Sequence, residues 1–224
     1  MRKSITCPLI SGLALSTPLE DLSFTVFDTE TTKFKVATED RLFEIGAVAV
    51  KGFTVQEDQQ FQIYVNLNRQ ISREIIELTN ITNEMVAGKP AGMEAINQFF
   101  EFVRNQESVS LVGHYISFDM FVLQSELMRE KLSLKYQNTI DTLDLIGFLA
   151  PSYDIRDIER YAMAFNTRIY PRHSAIGEAL TTAYLFAELL RQFSERGHKT
   201  GRADPGNSKP NLVALACFHR LKNG

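Results

Sequence analysis

The sequence has few cysteines, no long apolar run and no excess of positive charge. Only two of its 224 residues are cysteines, Cys7 and Cys217, which are too few for a disulfide framework and lack the spacing of metal ligands. We therefore interpret both as small apolar residues and expect a cytoplasmic location. No stretch reaches the roughly 20 apolar residues that a membrane span needs, so no membrane partner is expected.

The net charge of the chain is −3, so the protein as a whole does not attract nucleic acid through its charge. Any polyanion must be held locally, by metal ions or by a small basic patch. The sequence also has no internal repeat and no long low-complexity tract. A nucleic-acid function would therefore depend on one local site.

The chain divides into one main domain with a segment at each end. A hydrophobic content of 44% over 224 residues is enough for one good core. Residues 1–21 are an N-terminal extension, whose polar residues and lack of a clear cleavage site argue against a signal peptide. Residues 22–195 form the main domain. Residues 196–224 begin with a linker rich in Gly, Pro and polar residues and end in the apolar segment Leu212–Leu221, which is either a docking helix or a packed tail.

Hydrophobic patterning of the main domain predicts strands first and a mixture of strands and helices afterwards. Three sequential strands imply antiparallel pairing, with a turn at Lys51-Gly52, and the later elements complete an α/β domain with a mixed sheet. The predicted strands are 22–28, Leu42–Val50, Phe61–Leu67, Val109–His114 and Ile140–Leu143. The predicted helices are Glu74–Leu78, Asn83–Ala87, Met93–Arg104, Phe118–Lys131, Ile155–Phe165 and Ala175–Phe193, the last with a core-facing stripe of Ile176, Leu180, Ala183, Ala187 and Leu190.

Two carboxylates lie two residues apart at the end of the first strand. Side chains alternate along a strand, so Asp28 and Glu30 share the face that carries Phe24 and Val26. Two such groups in an apolar setting would repel, and a divalent cation between them removes that penalty. Hard oxygen ligands suit Mg²⁺ or Mn²⁺. The alternative is a strand that simply runs into a polar turn.

Two further acids and a histidine occur at predicted helix starts. With Ser117 as the N-cap, Asp119 lies in the first helical turn, where the helix dipole favours its charged form. Near the last helix, Ser174 is a suitable cap, which leaves His173 just outside the helix and Glu178 one turn inside it. Taken separately, Asp119 could serve only to stabilise a helix start, and His173 could be an ordinary surface residue.

Taken together, these motifs resemble those of a known family. Asp-Thr-Glu-Thr-Thr at 28–32, Gly-His-x-x-x-Phe-Asp at 113–119 and His-Ser-Ala-Ile-Gly-Glu at 173–178 occur in the order of the three exonuclease motifs. The chain resembles the DEDDh 3′–5′ exonuclease superfamily over about residues 22–194, in particular the group similar to the proofreading epsilon subunit of bacterial DNA polymerase III. This resemblance implies an RNase H-like fold with a mixed five-stranded sheet flanked by helices.

The resemblance also implies roles for individual residues. Two Mg²⁺ or Mn²⁺ ions would lie at the centre of the site, with Asp28 bridging both, Glu30 and Glu178 completing the first, and Asp119 holding the second. His173 would be the general base, a role that suits histidine because it titrates near neutrality. The substrate contacts would come from Thr29, Thr31, Thr32 and Phe118, although Phe118 could equally belong to the core.

Three positions depart from the family pattern. Glu178 replaces the last aspartate, Tyr115 replaces an asparagine and Lys33 replaces a glycine. Tight Mg²⁺ geometry tolerates the extra methylene of Glu178 poorly unless the helix shifts, so we expect Glu178→Asp to raise turnover if the first metal is misplaced. Charge and ligand type are nevertheless kept, which favours a working enzyme.

The expected function is that of a metal-dependent 3′–5′ exonuclease. It would hydrolyse single-stranded nucleic acid, with DNA favoured, to nucleoside 5′-monophosphates. The alternative is a catalytically impaired nucleic-acid-binding or scaffold domain of the same fold. The expected partners are 3′ ends of single-stranded DNA or RNA, and a polymerase or other protein bound through the C-terminal segment.

Overall fold

The structure is a computed structural model that describes residues 3–14, 16–33, 35–135, 137–152 and 157–199. In this part of the chain the strands are β1 (Lys3–Ile5), β2 (Ser23–Thr31), β3 (Leu42–Lys51), β4 (Thr54–Tyr64), β5 (Ser110–Gly113), β6 (Leu132–Leu134) and β7 (Thr139–Asp141). The helices are α1 (Arg73–Thr79), α2 (Asn83–Val86), α3 (Gly92–Asn105), α4 (Ile116–Arg129), α5 (Thr142–Leu149), α6 (Ile158–Ala164) and α7 (Ala175–Glu195).

Five strands form a mixed sheet in the order β4-β3-β2-β5-β7. The first three pair antiparallel, as the sequence predicts, and β5 and β7 add in parallel on the other side of β2. All residues of β3 except the last are buried, because helices cover both faces of the sheet. The predicted RNase H-like mixed sheet of five strands flanked by helices is confirmed.

Each face of the sheet has its own hydrophobic core. Phe24 and Val26 of β2 pack with α5, α6 and α7, and the ring of Phe24 meets that of Phe186 edge-on at 5.1 Å. Phe27 points to the other face, where it packs on Phe99 among α3 and α4. The predicted stripe of α7 lies in the first core. By strand alternation, Asp28 and Glu30 extend from the α7 face of the sheet.

Several predicted boundaries are wrong. The third strand begins at Thr54 and ends at Tyr64, whereas the sequence predicted Phe61–Leu67, because most of this edge strand is only partly covered and carries polar residues on its open side. The predicted strand Ile140–Leu143 ends at Asp141, whose carboxylate accepts the backbone N–H of Leu143 at 3.0 Å and starts the unpredicted helix α5. The predicted start of a helix at Ile155 lies outside the described residues, and α6 begins at Ile158.

The N-terminal segment packs against the main domain. β1 pairs in parallel with β6 in a second, two-stranded sheet, and Leu19 joins the core beside α7. Cys7 is buried, as its interpretation as an apolar residue requires, and burial raises the pKa of its thiol to about 12. Cys217 and the segment Leu212–Leu221 lie outside the described residues. The domain boundaries and the cytoplasmic location stay predictions, and no helix of the described ranges is long and apolar enough to cross a membrane.

Candidate active site

The end of β2 places two acids at the centre of the sheet. In the antiparallel ladder, Asp28 lies opposite Gly46 and Glu30 lies opposite Glu44. Asp28 and Glu30 are half-buried and both line a cleft of about 1010 Å³. The structure therefore brings these two predicted ligands to one open site.

Two glycines allow the start of α7 to approach these acids. A Cβ at Gly46 would lie 2.2 Å from the backbone nitrogen of Ile176, and a Cβ at Gly177 would lie 2.2 Å from the carbonyl oxygen of Pro171. Any larger residue would collide with backbone at either position. The close contact at Gly46 seats the first turn of α7 on β3 beside Asp28, and the second glycine lets residues 171–174 fold back against that turn.

This approach brings Glu30, His173 and Glu178 together. One potential ligand atom from each lies within 4.8 Å of the other two. Among the described residues, these three form the group of His, Cys, Asp or Glu side chains that are close enough together to hold a metal ion. An oxygen of Glu178 also accepts the backbone N–H of His173 at 3.1 Å. The two carboxylates are suitable ligands for a divalent cation, and the imidazole of His173 lies beside them.

The carboxylates repel one another at this site. Burial, followed by the charges of Asp119, Glu178, Glu30 and Glu44, raises the pKa of Asp28 well above its usual range. Burial and the neighbouring charges of Glu178, Glu44 and Asp119 raise the pKa of Glu30 to about 8. A divalent cation would relieve both effects, since it favours the ionised carboxylates. The electrostatics therefore fit the metal centre that the sequence suggests.

Asp119 reaches the site from the first turn of α4. Its Oδ1 accepts the backbone N–H of Thr29 at 2.9 Å and the hydroxyl of Thr29 at 2.6 Å. Burial raises the pKa of Asp119 to about 7, although these hydrogen bonds oppose the rise. Thr29, which the sequence predicted to contact the substrate, thus orients Asp119, a predicted metal ligand.

The predicted helix caps are only partly right. Ser117 is not the N-cap of α4, because that helix begins at Ile116 with Tyr115 as its N-cap, and the N–H groups of these two residues donate to Asp141 at 3.1 to 3.2 Å. Ser174 does occupy the N-cap position of α7, but its side chain makes no capping hydrogen bond. The carboxylate of Glu44 accepts the N–H of Ala175 in its place, at 3.0 Å.

The remaining predicted substrate residues line the cleft. The hydroxyl of Thr31 donates to the carbonyl of Lys33, and the hydroxyl of Thr32 donates to Asp40 at 2.8 Å. Both threonines therefore hold the turn after β2. Phe118 is half-buried, packs against the core of α3 and α4, and also lines the cleft, so each of its two predicted roles has a structural basis.

Sequence reasoning missed several residues of this site. Glu44 and Gly46 lie in the motif Phe43-Glu44-Ile45-Gly46, where an acid and a glycine inside an apolar strand were the available signal. Asp141 lies in the short stretch Ile140-Asp141-Thr142-Leu143, where it is an acid between apolar residues. His114 belongs to the quoted motif at 113–119 but was given no role, and no sequence signal marks the other cleft residues that were missed, which are Glu74, Ile75, Glu77, Leu78 and Arg172.

The mixed sheet, with acids at the end of its central strand and histidine and glutamate at the last helix, has the architecture of an RNase H-like exonuclease domain. The family model of RNase_T, described as exonuclease, matches residues 25–186. The chain therefore belongs to the RNase_T exonuclease family. This finding confirms the predicted DEDDh exonuclease superfamily and its general class of enzyme, an exonuclease.

Curated relatives and solved structures agree with that assignment. The chain is 34% identical over 180 residues to the PolC-type DNA polymerase III of Bacillus subtilis strain 168, covering 80% of this chain and 12% of that protein. The PolC-type enzyme of Caldanaerobacter subterraneus is 33% identical over 178 residues, with 79% and 12% covered. The chain thus spans about one eighth of the length of these relatives.

Solved structures with low sequence identity share the fold. Exonuclease X, solved in complex with 5′ overhanging duplex DNA, is 20% identical with a TM-score of 0.59 and covers 86% of this chain and 99% of its own. A 3′-exonuclease described by its specific recognition of the histone mRNA stem-loop is 17% identical with a TM-score of 0.65, covering 79% and 67%.

Proposed function

We propose that this protein is a metal-dependent 3′–5′ exonuclease that hydrolyses single-stranded nucleic acid to nucleoside 5′-monophosphates. The observation that carries the proposal is the convergence of Glu30, His173 and Glu178 within 4.8 Å in a cleft that also holds Asp28 and Asp119. A chain of net charge −3 does not attract a polyanion through its overall charge, so a local cation site supplies the necessary attraction.

Four acids would hold two Mg²⁺ or Mn²⁺ ions in this proposal. Asp28, Glu30 and Glu178 form one part of the site, and Asp28 and Asp119 form the other. The ions, when bound, supply charge stabilisation for the scissile phosphate and the leaving oxygen. His173 takes the proton of the attacking water, and Thr29 keeps the carboxylate of Asp119 directed at the site.

The family relatives favour DNA as the substrate. The most similar curated proteins include PolC-type DNA polymerases III, and exonuclease I structures with bound oligonucleotides share the fold. We therefore propose a role on single-stranded 3′ ends in DNA replication or repair, with a polymerase as a protein partner. The sequence predicts that the segment Leu212–Leu221 is either a docking helix for such a partner or a packed tail. Deleting residues 212–224 and measuring association with a PolC-type polymerase distinguishes the two.

Incubation with labelled strands tests the enzymatic proposal. Single-stranded DNA and RNA carrying a 5′ label are incubated with the purified protein in Mg²⁺, in Mn²⁺ or in excess chelator. We expect stepwise shortening from the 3′ end in either metal and none in chelator, with Asp28→Ala abolishing turnover while the protein stays folded. Internal cleavage, or activity that survives chelation, would contradict the proposal.

The alternative of a catalytically impaired binding or scaffold domain rests on one observation. Glu178 stands where the family motif has aspartate, so a ligand of the first metal has an extra methylene. Binding of single strands without shortening in either metal, by protein of native melting temperature, would favour this alternative over the enzyme.

A further inference from the structure

Two large apolar side chains are exposed in the cleft that holds the acids. Leu78 on α1 is 51% exposed and Tyr115, directly before α4, is 42% exposed, and both line that cleft. Other exposed apolar side chains of the described ranges, such as Phe121, Met128 and Met163, are not among its lining residues. The candidate active site therefore presents apolar surface to solvent on two different elements that line one cleft.

Tyr115 is held in a backbone conformation that does not suit its side chain. Its φ is 57°, in the left-handed region, which asparagine and glycine adopt far more readily than a tyrosine. Its N–H donates to Asp141 at 3.2 Å, and its carbonyl oxygen accepts the N–H of Phe118 at 2.9 Å. The ring meets that of His114 at 90°, with 5.4 Å between centroids. Local bonds thus fix both the strained backbone and the position of an exposed ring.

Strain and an exposed aromatic ring both oppose folding, and a ligand that uses the ring offsets them. Under the proposed function, the molecule that enters this cleft is a single strand of nucleic acid. Its bases present flat apolar faces, which stack on aromatic side chains regardless of sequence. A nucleobase is therefore the occupant whose chemistry matches this apolar surface beside a group of acids.

We infer that Tyr115 and Leu78 bind the nucleobase next to the terminal one, with the ring of Tyr115 stacked on its face. This inference rests on the proposed function. Phe118 is half-buried within the same cleft and Tyr115 is more exposed, which places Phe118 with the terminal base and Tyr115 with the base that follows it outward. Because a paired base is already stacked on its neighbours, this contact selects strands whose last two nucleotides are unpaired.

Binding of strands that lack one base tests the inference without any need for turnover. Fluorescence anisotropy in Ca²⁺, which binds the same kind of oxygen ligands, and at low salt compares an ordinary single-stranded DNA with strands that carry one abasic site, at the terminal or the penultimate position. The variants are Tyr115→Asn, which removes the ring and suits the left-handed backbone, and Tyr115→Phe, which keeps the ring. Phe121→Ala is the matched control, since Phe121 lies on α4, is 45% exposed and does not line the cleft.

We expect Tyr115→Asn to weaken binding of the ordinary strand roughly 5- to 100-fold, the range for the loss of one base–aromatic stack. Tyr115→Phe and Phe121→Ala should bind like the parent. Parent and Tyr115→Asn should bind the strand with a penultimate abasic site equally, because the base that Tyr115 contacts is then missing. The melting temperature of Tyr115→Asn should equal or exceed that of the parent, which separates lost binding from lost fold.

The inference is overturned if Tyr115→Asn weakens binding of the ordinary strand and of the strand with the penultimate abasic site equally. It is also overturned if the effect of Tyr115→Asn disappears only on the strand with the terminal abasic site, or if Tyr115→Asn weakens binding of no strand. The outcome is distinguishable from failure of the proposed function. A parent protein that shows this binding pattern but never shortens a strand would overturn the exonuclease proposal and support the base contact. A parent that binds no single strand would overturn both.

Discussion

The carboxylate of Glu44 accepts the backbone N–H of Ala175 at 3.0 Å and thereby ties strand β3 to the first turn of helix α7. Glu44 is fully buried, and its other oxygen accepts an N–H of Gln62 at 2.7 Å. Since α7 carries Glu178 and follows directly on His173, this one contact fixes the position of two proposed catalytic groups relative to the sheet. Glu44 is thus a positioning residue.

Removing this contact should impair both stability and activity. We expect Glu44→Ala to destabilise the protein by about 1–3 kcal/mol, because it leaves the buried N–H group of Ala175 without its acceptor. Turnover should fall with it. Glu44→Gln keeps one acceptor oxygen and should fall between the parent and Glu44→Ala in urea unfolding and in strand shortening. Equal effects of the two variants would contradict the role of the Ala175 contact.

A methyl group at Gly46 should displace the start of α7. The Cβ would meet backbone atoms of Ala175 and Ile176 at 2.2 to 2.5 Å, which no side-chain rotation can relieve. We expect Gly46→Ala to lower the melting temperature and to reduce turnover more than tenfold, since small misplacements of catalytic groups are costly. Gly147→Ala is the control: a Cβ there has open space, and alanine in place of a helical glycine should leave turnover unchanged and raise stability by about 0.5–1 kcal/mol. Parent-like turnover in Gly46→Ala would show that the contact does not position the site.

Metal binding and pH should affect stability together. The folded-state pKa values of Glu30, about 8, and Asp119, about 7, lie above those of the unfolded chain, so the metal-free native state binds more protons than the unfolded state between about pH 4 and 8. Stability in chelator should therefore fall as pH rises through this window. Added Mn²⁺ or Mg²⁺ should raise the melting temperature by roughly 5–10 °C at pH 8, and by less at pH 5.5, where protons compete for the ligands.

Thermal melts in EDTA and in saturating metal from pH 5.5 to 8.5 measure this effect. Glu30→Gln should flatten the pH dependence in chelator and reduce the metal-induced rise, because it removes one raised pKa and one ligand. A melting temperature in chelator that increases with pH above 5.5 would have the wrong sign and would refute the proposed cluster of mutually repelling acids.

Loss of the proposed general base should reduce turnover while leaving the fold intact. His173 contributes its backbone N–H to the hydrogen bond with Glu178, and alanine keeps that bond. We expect His173→Ala to lower turnover by roughly 10²–10⁴-fold, with little change in single-strand binding. Single-turnover assays with and without added imidazole provide the measurement, and partial rescue by imidazole is the expected result. Parent-like rates would mean that His173 is not the base.

Shortening Glu178 should harm the site rather than repair it. The sequence favours a gain from Glu178→Asp, but in the structure the longer side chain reaches the N–H of His173 and still lies with Glu30 and His173 within 4.8 Å. Withdrawing this carboxylate by one methylene should lower turnover roughly tenfold to a hundredfold in both Mg²⁺ and Mn²⁺. Glu188→Asp, on the same helix but outside the cleft, is the matched control. Higher turnover of Glu178→Asp in Mg²⁺ would show that glutamate is a defect at this position.

The sequence predicted the elements whose residues repeat with a clear period. The buried strand β3, helix α3 and the stripe of α7 were found because covered elements carry apolar residues at regular intervals. The edge strand β4 was found only in part, because its polar residues follow no such pattern. Helix α5 was missed entirely, because the cap that starts it, Asp141, also ends a strand that seemed to continue.

The candidate site likewise has a part that the sequence predicted and a part that only the tertiary structure determined. Asp28 and Glu30 could be placed on one face of a strand, since alternation along a strand is a local rule that needs no knowledge of the fold. The order of the motifs along the chain was enough to indicate the exonuclease family, which the family match confirms. The tertiary structure alone decided which partners the acids have: that Thr29 holds Asp119, that Glu44 rather than Ser174 caps α7, and that Gly46 lets this helix reach the sheet. These contacts join residues that are far apart in the sequence, and their energies depend on burial and on distances that arise only when the two faces of the sheet are packed.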